Sequence, residues 1–365
     1  MNGLDENHQK ACFSIPEFIC ESGQTLSNIS VFYETWGVLN EKRDNAILIA
    51  HALTGTSHAA AGNADANKGW WDFFIGPGKA IDTQKYFVIC ANVLGGCSGT
   101  TGPSCVNEDT GERYGMSFPT VTIRDMVRCQ KYLADRLKIK QLLSVTGGSM
   151  GGMQALEYAA QYPDSVRSII PLATPGRAYP QSIAFRRAQR KAIMMDPDWK
   201  EGQYYGQSYP VSGIELARLI GVISYRSEQE FRDRFGRKHT DDDLYQVDSR
   251  FEVEKYLDYQ GQKLAGWFDP NTYLYLSKSM DLHDLGYDCG SYEEGISRIK
   301  AKTLLIGFCT DALFPANQQR ELADILSQTN NDTHYREIQT IYGHDGFLIE
   351  KDQISAHVRS FLKDL

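Results

Sequence analysis

The stretch Gly147-Gly148-Ser149-Met150-Gly151-Gly152 constrains this chain more than any other. An apolar run at 142–146 leads into it, and a helix-compatible run at 153–158 follows. A strand, a glycine turn around a serine, then a helix is the pattern of a nucleophile elbow, whose sharp turn lifts the serine Oγ clear of its own backbone. The glycines supply unusual backbone angles and let the strand and helix approach closely. The helix N-terminus behind the serine offers free N–H groups and a positive dipole end to an anionic intermediate. A glycine-rich βα turn with an incidental serine spells the same letters, so the partners of Ser149 decide the reading.

A serine nucleophile needs a base, and the base needs an orienting carboxylate. In α/β hydrolases the chain order is Ser, then Asp or Glu, then His. Asp311 follows an apolar run ending at Phe308, and His344 follows one ending at Ile341. Both fall just beyond the carboxyl ends of expected strands, where open α/β sheets place their ligands. Taken singly each has a plainer reading, the Asp as a helix cap and the His as a surface or core residue. Together, in this order and at matching strand ends, they support one another. His51 and His58 flank a loop near the same edge and read as structural. An oxyanion hole needs two N–H donors. Met150, directly after the serine, supplies one, and Leu53, in the loop that follows the apolar run 46–50, supplies the other.

The near-continuous apolar runs at 46–50 and 86–90 suit strands buried on both faces of a mostly parallel sheet. Further strands are expected at 168–173, 303–308 and 335–341, with helices at 316–326 and 353–362. Between 175 and 296 strand-like runs thin out and helical periodicity takes over. The expected fold is α/β, a mostly parallel, doubly wound sheet of the α/β-hydrolase type. Residues 1–174 and 297–365 would form its core, and 175–296 a helical lid inserted over the sheet's C-terminal edge. Within the lid, 239–243 reads as a solvated loop, and its acidic triplet lacks the further ligands a metal site needs, so no metal is expected.

A net charge of −8 argues against nucleic acid as the main partner. The basic group Arg186-Arg187 with Arg190-Lys191 has helical spacing and reads as a solvated face, with attraction of an anionic substrate as the second reading. No run reaches the length of a membrane span, the first 20 residues lack the apolar centre of a signal peptide, and eight cysteines carry no C-x-x-C spacing. These features fit reduced thiols and a cytoplasmic enzyme. The glycine-rich stretch 95–102 departs from a phosphate-binding loop and reads as a loop walling the pocket.

Several stretches together carry a resemblance: His51-Ala52-Leu53-Thr54-Gly55, Gly69-Trp70-Trp71-Asp72, Ile75-Gly76-Pro77-Gly78-Lys79, Asn92-Val93-Leu94-Gly95-Gly96-Cys97 through Thr101-Gly102-Pro103, the elbow itself, and Gly343-His344-Asp345-Gly346-Phe347-Leu348. Over nearly its whole length the chain resembles the homoserine O-acetyltransferase family of methionine biosynthesis. The resemblance implies a ping-pong transfer in which Ser149, activated by His344 and Asp311, takes an acyl group from acyl-CoA, a co-substrate rather than a cofactor, and passes it to the hydroxyl of L-homoserine. It places the amino-acid acceptor on Arg218 and Asp345. An arginine fork suits a carboxylate, and a carboxylate beside the catalytic histidine suits an ammonium. It also implies a homodimer formed through lid helices. The chain departs from the family at Arg186, where Asn is usual, and at Ala312, where a bulky residue is common; both departures bear on the acyl donor. Succinyl transfer to homoserine and acyl transfer to serine share this machinery. An esterase with the same triad and a non-catalytic binder on this fold are readings of other classes.

Overall fold

The computed structural model describes residues 7–62, 67–241, 244–329 and 332–365. One eight-stranded sheet runs through the molecule in the order β1-β2-β4-β3-β5-β6-β7-β8. Its strands are β1 (Gln9–Ile19), β2 (Thr25–Trp36), β3 (Ala46–Ala50), β4 (Phe87–Ala91), β5 (Leu142–Gly148), β6 (Val166–Leu172), β7 (Lys302–Phe308) and β8 (Thr333–Ile338). From β4 to β8 every pairing is parallel, and β3 and β5 are buried along their whole length. Helices cover both faces, so these strands carry unbroken apolar runs rather than an alternating pattern.

The antiparallel pair β1–β2 closes one edge and joins the parallel part through β2–β4. The sequence pattern announces this pair only faintly. Its side chains alternate between buried and exposed along β1, a weaker signal than an all-apolar run. At the other edge β8 ends at Ile338, three residues earlier than expected. Residues 339–342 leave the sheet and carry the chain to a 3-10 turn at Gly343–Asp345.

Helix α1 (Ile123–Arg136) opens with a capping box in which the Thr122 hydroxyl accepts from Asp125 N and the Asp125 carboxylate accepts from Thr122 N. Helix α2 (Met150–Gln161) starts immediately after Ser149. Six helices then intervene between β6 and β7: α3 (Pro180–Met195), α4 (Val211–Tyr225), α5 (Glu228–Phe235), α6 (Glu252–Ala265), α7 (Pro270–Asp281) and α8 (Tyr292–Ser297). The chain ends with α9 (Ala316–Gln328), the short α10 (Gly346–Ile349) and α11 (Lys351–Lys363). Of the acidic triplet in the lid, Asp242 and Asp243 lie outside the described residues, while Asp241 accepts from Arg250 N at 2.7 Å. Among the described residues no helix is long and apolar enough to cross a membrane.

Candidate active site

Ser149 stands between β5 and α2 with φ 58° and ψ −121°, a conformation that a side-chain-bearing residue adopts only when its surroundings impose it. Close approach supplies that constraint. A Cβ on Gly147 would lie 2.4 Å from the Ala50 carbonyl oxygen, and one on Gly151 only 2.0 Å from it. β3 and α2 therefore press on the turn so tightly that only glycine fits on either side. Ser149 N donates to Leu172 O at 2.9 Å, which ties the turn to β6.

The base and its carboxylate come from the two loops after β7 and β8. Asp311 Oδ1 accepts from Leu313 N and Phe314 N, both at 2.9 Å, while its Oδ2 lies 2.7 Å from His344 Nδ1. A buried carboxylate so placed makes Nδ1 the donor, which leaves the Nε2 lone pair free to accept a proton. Gly343, with φ 60°, turns the chain so that the imidazole enters from its loop, and Gly343 N donates to Thr310 Oγ1. Three rings frame the imidazole: Phe314 at 5.1 Å, Phe347 at 5.6 Å and Tyr225 at 5.9 Å between centroids. Ser149 and His344 line one cavity, and Asp311 stands buried behind the histidine.

Two N–H groups near the serine have no acceptor among the described residues: that of Leu53 and that of Met150. Met150 is the first helical residue, so its N–H has no intrahelical partner by construction. The Leu53 loop is held from behind by His51. His51 Nε2 accepts from Val93 N at 3.1 Å, so Nδ1 carries the proton and donates to Ala52 O at 2.8 Å. Burial pushes this imidazole down to about 4, the Ala52 bond opposing it. Gln154 Nε2, on α2, donates to His51 O and so couples the loop to the elbow helix.

Arg218 and Asp345 both line the same cavity. The Arg218 guanidinium forms no hydrogen bond or ion pair among the described residues; it lies over the Tyr225 ring at 5.6 Å. Asp345 has a protein partner, because Arg226 Nη2 stands 3.1 Å from its Oδ2. Arg226 also bonds Glu230 at 2.9 Å and precedes Ser227, which caps α5. The sequence signal for this was the S-x-x-E cap at Ser227–Glu230, with an arginine directly ahead of it.

The basic group on α3 divides: Arg187 and Lys191 are exposed, as a solvated face would be, while Arg186 is buried and Arg190 half-buried. Arg186 is 3% exposed, lines the cavity, and shares Asp281 with Arg190. Ala312 is exposed and does not line the cavity. Nor does any residue of 95–102; that loop packs inward, with Gly99 against the Phe32 ring and Gly102 against the Gly96 carbonyl. Among the described residues one set of side chains could converge on a metal, His8, Glu34 and His58, with Glu34 Oε2 accepting from both rings at 2.8 and 2.9 Å. None of the three lines the cavity.

The alpha/beta hydrolase fold family matches residues 45–350. A homoserine O-acetyltransferase of Deferribacter desulfuricans is 51% identical over 352 residues, covering 96% of this chain and 93% of the relative. The crystal structure of homoserine O-acetyltransferase from Bacillus anthracis superposes with a TM-score of 0.93 at 33% identity, covering 97% of each chain. That of esterase E22 superposes with a TM-score of 0.90 at 31% identity, covering 97% of this chain and all of the other. With this fold, this elbow and relatives of such identity along its whole length, the chain belongs to the homoserine O-acetyltransferase family of α/β-hydrolase-fold enzymes.

Proposed function

We propose that the protein transfers an acetyl group from acetyl-CoA to the hydroxyl of L-homoserine, a step of methionine biosynthesis. The observation that carries the reading is the partnerless Arg218 guanidinium in the same cavity as Ser149 and Asp345. A guanidinium fork without a carboxylate partner matches an amino-acid carboxylate, and Asp345 offers the ammonium its counter-charge. In the first half-reaction His344 Nε2 takes the Ser149 proton as Oγ attacks the thioester carbonyl. The Leu53 and Met150 N–H groups hold the oxyanion, the C–S bond breaks, and His344 returns the proton to the CoA sulfur. In the second, His344 deprotonates the homoserine hydroxyl, which attacks the acyl-enzyme and regenerates Ser149. Every step uses side chains and main-chain donors of this chain.

Esterase is the second reading, and the likeness to esterase E22 favours it. The two differ in what takes the acyl group, homoserine or water. CoA release from acetyl-CoA, followed with and without L-homoserine, separates them. Release that requires homoserine supports the transferase, and release at the same rate without it supports the hydrolase.

We further propose a homodimer through the lid. On α4, Leu216 is 50% exposed and Ile223 is 52% exposed, one heptad apart on one stripe. An exposed apolar stripe of this kind suits a partner helix, and light scattering gives the mass directly. A cytosolic setting fits the eight cysteines, all of which are free thiols.

A further inference from the structure

Outside the catalytic cavity, the buried carboxylate of Glu34 gathers two imidazoles. Its Oε2 lies 2.8 Å from His8 Nε2 and 2.9 Å from His58 Nδ1, and its Oε1 accepts from Ser57 Oγ at 3.0 Å. The three side chains come from separate segments: the residue before β1, the strand β2, and the loop that follows β3.

Donor and acceptor roles do not match at His58. Its Nε2 is 3.2 Å from the Asn67 carbonyl oxygen, while its Nδ1 faces the Glu34 carboxylate. A carbonyl and an ionised carboxylate only accept, and a neutral imidazole has one N–H to give. With Nε2–H on Asn67, the Nδ1 lone pair points at a carboxylate oxygen. Something positive has to lie between them, either a second proton or a metal ion. A ring that donates one N–H to a backbone carbonyl and turns its other nitrogen to an ion is the usual arrangement of a ligating histidine.

The spacing and the surroundings suit an ion. Two donors about 2.1 Å from one ion stand about 3.0 Å apart at a right angle, close to the two distances from Glu34 Oε2. All three donors lie within 4.8 Å of one another. An ion with opposite donors spans about 4.2 Å, so the rings close on it by no more than about 0.6 Å. The ligands are also held in place. The His8 ring stacks on the buried Trp36 at 5.2 Å and 13°, and a Cβ on Gly62 would fall 2.2 Å from His8 Nδ1, so the main chain passes directly against the ring. The Ser57 hydroxyl orients the carboxylate. The His58 side chain is 20% exposed, which gives an ion its way in.

We propose that His8, Glu34 and His58 form a site for a divalent transition-metal ion, Zn²⁺ or a first-row neighbour. Two imidazoles and one carboxylate suit those ions, whereas Ca²⁺ and Mg²⁺ prefer oxygen throughout. Water fills the remaining positions on the exposed side of His58. The ion is structural, since none of its ligands lines the cavity that holds Ser149. It fastens the segment before β1 to the loop that carries Leu53.

The test is metal uptake by the untagged full-length protein, stripped with EDTA and desalted, then titrated with ZnCl₂ in a calorimeter and with CoCl₂ in a spectrophotometer. The wild type takes up one ion per chain at this site, and added Zn²⁺ raises its Tm. Affinity falls by roughly 100-fold or more in Glu34→Gln and in His58→Gln. His8→Gln, at the start of the described chain, is the variant least able to disturb folding; it loses the same ion and the Tm response while keeping homoserine-dependent CoA release. Cobalt bound here shows no thiolate charge-transfer band. A wild type that takes up no ion would assign the second His58 proton instead and overturn the proposal. Uptake that is equal in all three variants, or a cobalt spectrum with a thiolate band, would place the ion elsewhere and overturn it too.

Discussion

Asp345 meets Arg226 at 3.1 Å across the boundary between the catalytic loop and the lid, and in doing so fixes the carboxylate that faces the cavity. The same junction is tight elsewhere: a Cβ on Gly343 would lie 2.6 Å from the Tyr225 carbonyl oxygen, and the Ser227 hydroxyl donates to Ile341 O. The lid is thereby fastened to the loop that carries His344. In Arg226→Ala the Asp345 carboxylate loses its anchor, and KM for homoserine rises roughly tenfold, the weight of one charge-assisted contact. Stopped-flow acylation of Ser149 by acetyl-CoA, which needs no ammonium site, slows far less. Equal damage to both half-reactions would contradict this division of labour.

Arg218→Ala removes the one cavity guanidinium that lacks a protein partner. The expected effect is a loss of roughly 100-fold or more in kcat/KM for homoserine, with acyl-enzyme formation retained. Steady-state kinetics in homoserine, set beside single-turnover acylation, reads both quantities.

Asp311→Asn keeps the shape of the loop but offers an amide where His344 Nδ1–H needs an acceptor. The imidazole then loses its tautomer and its orientation, and kcat falls roughly 10³- to 10⁴-fold. Folding is little affected, because Oδ1 still accepts from Leu313 N and Phe314 N. Near-ultraviolet circular dichroism and kcat, measured on one preparation, check both halves.

Acid sensitivity follows from His51. Its folded-state pKa is lowered to about 4 by burial, below the ordinary imidazole value. The neutral form is native, so its contribution is whole above about pH 6.5. As pH falls further the unfolded chain takes up the proton first, and the folding free energy drops until the folded imidazole also protonates near pH 4. The expected loss is about 3 kcal/mol across that window. Urea titrations at pH 7 and pH 4.5 should show a smaller fall for His51→Gln than for the wild type.

Gly151→Ala would place a methyl group 2.0 Å from the Ala50 carbonyl oxygen, between two elements that cannot part without moving Ser149. About 3 kcal/mol of destabilisation is expected, together with loss of activity. Chemical denaturation and CoA release test the two consequences separately.

Much of this architecture is legible in the sequence for one physical reason. Strands buried on both faces, such as β3 and β5, must be apolar throughout, and an elbow pressed against Ala50 must be glycine on both sides of its serine. The carboxylate and imidazole follow strand ends because that is where a parallel sheet opens to solvent. What escaped reading depends on long-range contact. The β1–β2 pair alternates rather than running apolar, the Arg226–Asp345 bridge joins residues 119 positions apart (345 minus 226), and Arg186 carries the letters of a solvated helix face yet is buried by α7. No local pattern reports that a distant Asp281 waits for a particular arginine.

The measurement closest to the central claim is the intact mass of the protein after brief mixing with acetyl-CoA in the absence of acceptor. A single added acetyl group, mapped to Ser149 by peptide sequencing and removed on addition of L-homoserine with formation of its O-acetyl ester, is the predicted result. An adduct on another residue would contradict the account. So would an acetyl-Ser149 that water clears as fast as homoserine does.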